Sequence, residues 1–145
     1  MSPYLGLDYG LSRIGIAVSD STDTLAIALH THQRSEGSFF TYLTQIVHER
    51  QIQGVVVGLP LKTSGEEGEL AVRAREFARM VAQHTGLPVF LEDERFTSQE
   101  ARAQLRLSGQ RGRPKSEVDA VAAEIILQQF LDRKLRSGNE GIPPR

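Results

Sequence analysis

The alternation of apolar and polar positions changes period along this chain, and the changes outline its elements. Tyr4–Asp8 is a short apolar run ending in an acid, Arg13–Ser19 is a second run and Leu25–Thr31 a third. No helix fits between them, so they predict an antiparallel meander. From Ser38 to Arg50 the spacing becomes helical, with Phe39, Leu43, Ile46 and Val47 on one face. Gly54–Leu59 is an unbroken apolar strand, the pattern expected where both sheet faces are covered. A second helix over Glu67–Gln83 carries Leu70, Ala74, Phe77 and Val81 on one face and is closed by Gly86. A fifth strand, Leu87–Leu91, runs into Glu92-Asp93-Glu94-Arg95. Thr97-Ser98-Gln99-Glu100 fits a capping box opening a helix to Leu107, Ser108–Ser116 reads as a basic loop, and Ser116 opens a last helix to Lys134. The order β-β-β-α-β-α-β-α-α predicts an α/β fold with a mixed five-stranded sheet and helices on both faces. One domain over residues 1–135 and a flexible tail over 136–145 are expected.

Composition narrows the chemistry. Seventeen Lys and Arg against eighteen Asp and Glu leave a net charge of -1, so nucleic-acid binding needs a local basic patch rather than a global field. The absence of cysteine excludes disulfides, thiolate metal sites and a Cys nucleophile. The apolar stretches Gly54–Leu61 and Val118–Leu131 are too short or interrupted to span a bilayer. The opening Met1-Ser2-Pro3-Tyr4 enters a strand at once, so no leader and a cytoplasmic location are expected.

Three places put acids where solvent should be scarce. Asp8 follows Leu5-Gly6-Leu7 in a central strand, and it either accepts hydrogen bonds from the Tyr9–Leu11 turn or serves a cation. Glu92, Asp93 and Glu94 stand at the carboxyl end of the fifth strand, the edge where open α/β sheets bind ligands. Alternation puts Glu92 and Glu94 on one face and Asp93 on the other; a solvated acidic turn neutralised by Arg95 is the competing reading. On a helical projection Asp119 falls between Ile126 and Phe130, inside an apolar stripe of Val118, Val121, Ala122, Ile125, Ile126 and Phe130, while Glu117 and Glu124 point to solvent. Ser116-x-x-Asp119 is also a capping pattern, which a sheet-facing carboxylate would not contradict. Acids from two strands and a helix suit Mg²⁺ or Mn²⁺, hard cations that keep water to share with a phosphate. His30, His32, His48 and His84 are scattered, and His30-x-His32 reads as a surface strand face.

Gly6, Gly10, Gly15, Gly58, Gly65 and Gly68 match neither a dinucleotide fingerprint nor a P-loop, and Lys62-Thr63-Ser64 lacks the Walker glycines. Ala101–Ser116 holds no acid and five bases, Arg102, Arg106, Arg111, Arg113 and Lys115. That run is either a solvated basic face or a phosphate-backbone contact leading directly into the helix of Asp119.

Leu5–Asp20, with its Asp8-Tyr9-Gly10 and Arg13-Ile14-Gly15, resembles the opening block of the YqgF/RuvX family of RNase H-like nucleases. Val56–Leu61 with Gly65, Asp93–Ser98 with Glu100-Ala101, and Val118–Ala123 resemble the family's three later blocks in order; Lys62 stands where the family pattern has Asn. The resemblance implies sheet order 3-2-1-4-5, with the first three strands antiparallel and the first, fourth and fifth parallel. It also implies a divalent-metal endonuclease acting on Holliday-junction DNA, in recombination, or on the precursor of 16S ribosomal RNA, in ribosome biogenesis. By position it carries over Asp8, Glu94 and Asp119 as catalytic metal ligands, with Asp93 the alternate to Glu94, around two Mg²⁺ or Mn²⁺ ions. Arg13, Arg95, Arg106, Arg111, Arg113 and Lys115 are then the expected nucleic-acid contacts, and symmetric junction cleavage would call for a homodimer. Two other readings fit parts of the pattern. Strand–Asp-x-Gly–strand also opens actin/sugar-kinase-like nucleotide-binding proteins, which need a second such domain. A non-catalytic RNA-binding ribosome-biogenesis factor could keep the fold without turnover.

Overall fold

The computed structural model describes residues 3–33, 35, 37–62, 64–94 and 115–136, with 115–118 described by backbone alone. Five strands, β1 (Tyr4–Tyr9), β2 (Arg13–Ser19), β3 (Ala26–Gln33), β4 (Gly54–Leu59) and β5 (Val89–Asp93), form one sheet in the order β3-β2-β1-β4-β5. β1, β2 and β3 pair antiparallel, whereas β1–β4 and β4–β5 are parallel, as expected from the resemblance. Helices α1 (Phe39–Arg50) and α2 (Glu69–Thr85) cover one face, and α3 (Lys115–Arg136) crosses the other. The expected helix over Thr97–Leu107, its capping box and the tail beyond Arg136 lie outside the described residues.

Period-two alternation decides which residues meet which helices. Leu5, Leu7, Ile14, Ile16, Val18, Val55 and Val57 point toward α1 and α2, where they pack with Phe39, Leu43, Ile46, Phe77 and Val81. Tyr4, Ala17 and Val56 point the other way and pack with Ala123, Ile126, Leu127, Phe130 and Leu131 of α3. Each large aliphatic or aromatic side chain buried in this way contributes about 1.5–3 kcal/mol. Ser38 caps α1, its hydroxyl accepting from the Thr41 N–H, and Gly86 ends α2 with φ +70°, a left-handed conformation that costs glycine little.

Several local expectations change. β3 runs two residues beyond Thr31, and His32 is buried rather than on a surface face, because its ring packs against Phe39 and Tyr42 while its Nε2–H donates to the Gly37 carbonyl at 3.0 Å. Leu70 is exposed and Ala71 takes its place in the core. Of the expected stripe of α3, Ala122, Ile126 and Phe130 are buried, whereas Val121 and Ile125 are only partly so, and Ala120, Ala123, Leu127 and Leu131 join the core in their place. Alanines face the sheet because the sheet surface there contains glycines, so main chains approach closely. Glu124, expected in solvent, accepts from the Ala28 N–H at 2.9 Å, and Gln128 accepts from the Ala26 N–H at 2.8 Å. Side chains of α3 thus occupy amides of the edge strand, which would otherwise invite strand addition.

Candidate active site

The centre of the site is a carboxylate between two glycines. Asp8, 8% exposed, sits near the carboxyl end of β1. Its partner across the antiparallel ladder is Gly15; on the other side the Leu7–Val57 pairing brings Gly58 alongside one step later. Neighbours in register share a face, so neither flank of Asp8 carries a side chain.

Both gaps are filled by the elements that hold the other acids. The main chain of α3 at Asp119 and Ala120 lies directly on Gly15; a methyl group there would overlap the Asp119 carbonyl and stand 3.1 Å from the Ala120 nitrogen. At Gly58 a methyl group would lie 2.8 Å from Glu94 Oε2 and 2.7 Å from Ile126 Cδ1. The Glu94 N–H donates to the Leu59 carbonyl at 3.2 Å, carrying the β4–β5 register one residue further and fixing the backbone beneath that carboxylate. Asp119 therefore approaches Asp8 from the β2 side and Glu94 from the β4 side. Beside them is a cleft of about 280 Å³ lined by Asp8, Gly10, Leu11, Ser12, Arg13, Leu70 and Asp119.

The three acids of the fifth strand have different fates. Glu92 is 1% exposed, and its Oε2 accepts from Arg133 Nη1 at 2.6 Å and from Gln129 Nε2 at 2.8 Å. Its Oε1 has no hydrogen-bond partner among the described residues. This carboxylate ties β5 to α3 away from the cleft. Asp93 is exposed, on the opposite face from its neighbours. Glu94 alone of the three lies over Gly58.

The expected convergence is incomplete. Asp8, Glu94 and Asp119 share one end and one face of the sheet, yet among the described residues no three Asp, Glu or His side chains form a group able to hold a metal ion. Asp119 Oδ2 instead accepts from Arg13 Nε at 2.5 Å, with side-chain exposures of 25% and 31%. The pairing links positions 106 residues apart and was missed in the sequence reading. The available signal was alternation: Arg13 shares a face with Gly15, so it points toward whatever covers that glycine. Arg95, Arg106, Arg111 and Arg113 lie outside the described residues, as does the side chain of Lys115. The donor set itself suits a divalent ion. All three acids offer hard oxygen ligands, and the bare Gly58 cradles a carboxylate where any other residue would displace it. Among the described residues, no helix is long and apolar enough to cross a membrane.

Comparison with known proteins bears on the whole assembly. Two curated relatives carry the name "Putative pre-16S rRNA nuclease": one from Protochlamydia amoebophila, 39% identical across 92% of this chain and 95% of its own, and one from Picosynechococcus, 45% identical across 90% and 92%. The structure of Thermus thermophilus RuvC in complex with a Holliday junction substrate matches over the full length of both chains with a TM-score of 0.60 at 16% identity, a likeness of fold that makes this sheet RNase H-like. The family model described as "RuvX: Holliday junction resolvase" matches residues 2–133, and the chain belongs to that family.

Proposed function

We propose that this protein is a divalent-metal-dependent endonuclease that hydrolyses phosphodiester bonds in the precursor of 16S ribosomal RNA. The observation that carries the reading is the setting of Asp8, with Glu94 over one flanking glycine and the Asp119 main chain over the other. Relatives at 39–45% identity named for that RNA favour it over junction DNA as substrate.

Asp8, Glu94 and Asp119 are the residues that would hold two Mg²⁺ or Mn²⁺ ions, and Asp93, exposed on the opposite face of β5, is the less suited alternate to Glu94. When bound, the ions supply Lewis-acid stabilisation of charge on the phosphate and acidify the water that attacks it. The chain's own part is positioning. The buried strand holds Asp8 still, the Leu59–Glu94 hydrogen bond orients the second carboxylate, and α3 carries the third. Arg13 stands in the cleft, and Arg95, Arg106, Arg111, Arg113 and Lys115 are the further residues we assign to contacts with the phosphate backbone. Such a substrate places the protein in the cytoplasm, and cleavage of one RNA strand does not require a homodimer.

The test is cleavage of a 16S precursor transcript and of a four-way DNA junction, each with Mg²⁺, with Mn²⁺ and with EDTA. Cleavage of the transcript should need the ion, and Asp8→Asn should abolish it with the circular dichroism spectrum unchanged. Activity that survives EDTA or the Asp8 substitution refutes the mechanism; cleavage of the junction alone moves the substrate to DNA. RNA binding without ions or turnover would favour a binding factor.

A further inference from the structure

Asp8, Glu94 and Asp119 stand around the end of β1, and Arg13 lies against Asp119. The contact uses Nε, a single donor, rather than the two-pronged face of the guanidinium that matches carboxylate or phosphate best. Docking of α3 does not depend on it. Ile126, Leu127, Phe130 and Leu131 bury the helix, Glu124 and Gln128 hold the β3 edge, and Gln129 and Arg133 hold Glu92 of β5. Both partners are partly exposed, so water and ions reach the pair. Among the described residues no three acids form a group able to hold an ion, and one of the three candidate carboxylates, Asp119, is engaged by Arg13.

We infer that Arg13 is an exchange residue. Its guanidinium takes a cation's place on Asp119, so a divalent ion has to compete with it for that carboxylate; an Arg13 displaced in that competition turns its two terminal nitrogens to a non-bridging oxygen of the scissile phosphate. Arg13 thereby weakens ion binding at Asp119 and strengthens the transition state, two effects of opposite sign from one side chain. The inference rests on the divalent-ion reading of the site.

The experiment is titration of nucleic-acid-free protein with Mn²⁺, read by the electron paramagnetic resonance signal of free ion, beside single-turnover cleavage of the 16S precursor transcript at saturating Mn²⁺. Arg13→Gln should tighten the weaker Mn²⁺ site by roughly tenfold and slow cleavage by about 10²-fold. Arg13→Lys keeps a cation on Asp119 but loses the fork, so Mn²⁺ affinity should stay within about twofold of wild type while cleavage still falls. A pair that merely straps α3 to β2 would lower the melting temperature and leave Mn²⁺ binding unchanged or weaker in Arg13→Gln; that result overturns the inference. Wild-type protein that binds no Mn²⁺ overturns the divalent-ion reading as well, which separates the two failures.

Discussion

Replacing Gly15 by alanine would put one methyl group where the main chain of α3 already lies, overlapping the Asp119 carbonyl and 3.1 Å from the Ala120 nitrogen. Two terms favour the substitution: about 0.8 kcal/mol for a buried methyl group and roughly 0.4–1 kcal/mol from a less flexible unfolded chain. Against them stands overpacking, commonly about 1–3 kcal/mol and at or above the top of that range here, because main chain cannot rotate aside as a side chain can. The net loss should be about 2 kcal/mol, a fall of roughly 4–10 °C in melting temperature for a chain of this size. That leaves the protein folded, since domains have about 5–15 kcal/mol in hand. Activity should suffer far more. The helix can relieve the overlap only by retreating from β2, which moves Asp119 from Asp8, and a displacement near 1 Å costs about 10²-fold in rate. Thermal melts and single-turnover cleavage at 25 °C measure the two effects separately. Wild-type melting temperature and wild-type turnover in Gly15→Ala would show that α3 does not lie on Gly15, and the description of the site would fall with it.

Gly58→Ala provides a contrast, because the groups it meets are the ends of two flexible side chains, Ile126 and Glu94; stability should change by less than about 1 kcal/mol while cleavage falls at least tenfold through displacement of Glu94, and an active variant would remove Glu94 from the mechanism. Glu92→Gln removes the negative charge from the buried end of the pair with Arg133, but Arg133 is 38% exposed and can turn to water, so urea melts should show a loss of about 1–2 kcal/mol. The double variant Glu92→Met with Arg133→Met, which also removes the unpartnered Oε1, should recover most of it, and a double variant worse than the single would contradict this. Neutralising Arg111, Arg113 and Lys115 together should flatten the salt dependence of transcript binding by up to about three units of slope; an unchanged slope would exclude that run from the interface.

How far the site could be read in advance differs from residue to residue. The position of Asp8 was readable because an acid closing an apolar central strand has few places to go. Glu94 could not be separated from Glu92 and Asp93 by the residue reading alone, since alternation leaves two of the three on one face; only the resemblance ranked them. The fold separates them by what α3 offers: Arg133 and Gln129 reach Glu92, whereas Gly58 makes room for Glu94. In the stripe of α3, Val121 and Ile125 gave way to Ala120 and Ala123 because hydrophobicity ranks isoleucine and valine above alanine, while a sheet surface of glycines selects alanine for close approach. His32 shows the same limit, as its burial depends on the rings of Phe39 and Tyr42 beside it.

From residue order alone came the elements of the sheet, its antiparallel opening and the candidate acids, because periodicity, turn residues and a strand-end carboxylate are local properties of the chain; the parallel pairing of β1, β4 and β5 and the ranking of Glu94 came with the family resemblance. Tertiary structure decided which acid faces which neighbour: Asp119 with Arg13 across 106 positions, Glu92 with Arg133, and Glu94 over Gly58. Those pairings depend on strand register and on how closely one helix can lie against bare glycines, distances set only when the layers pack together.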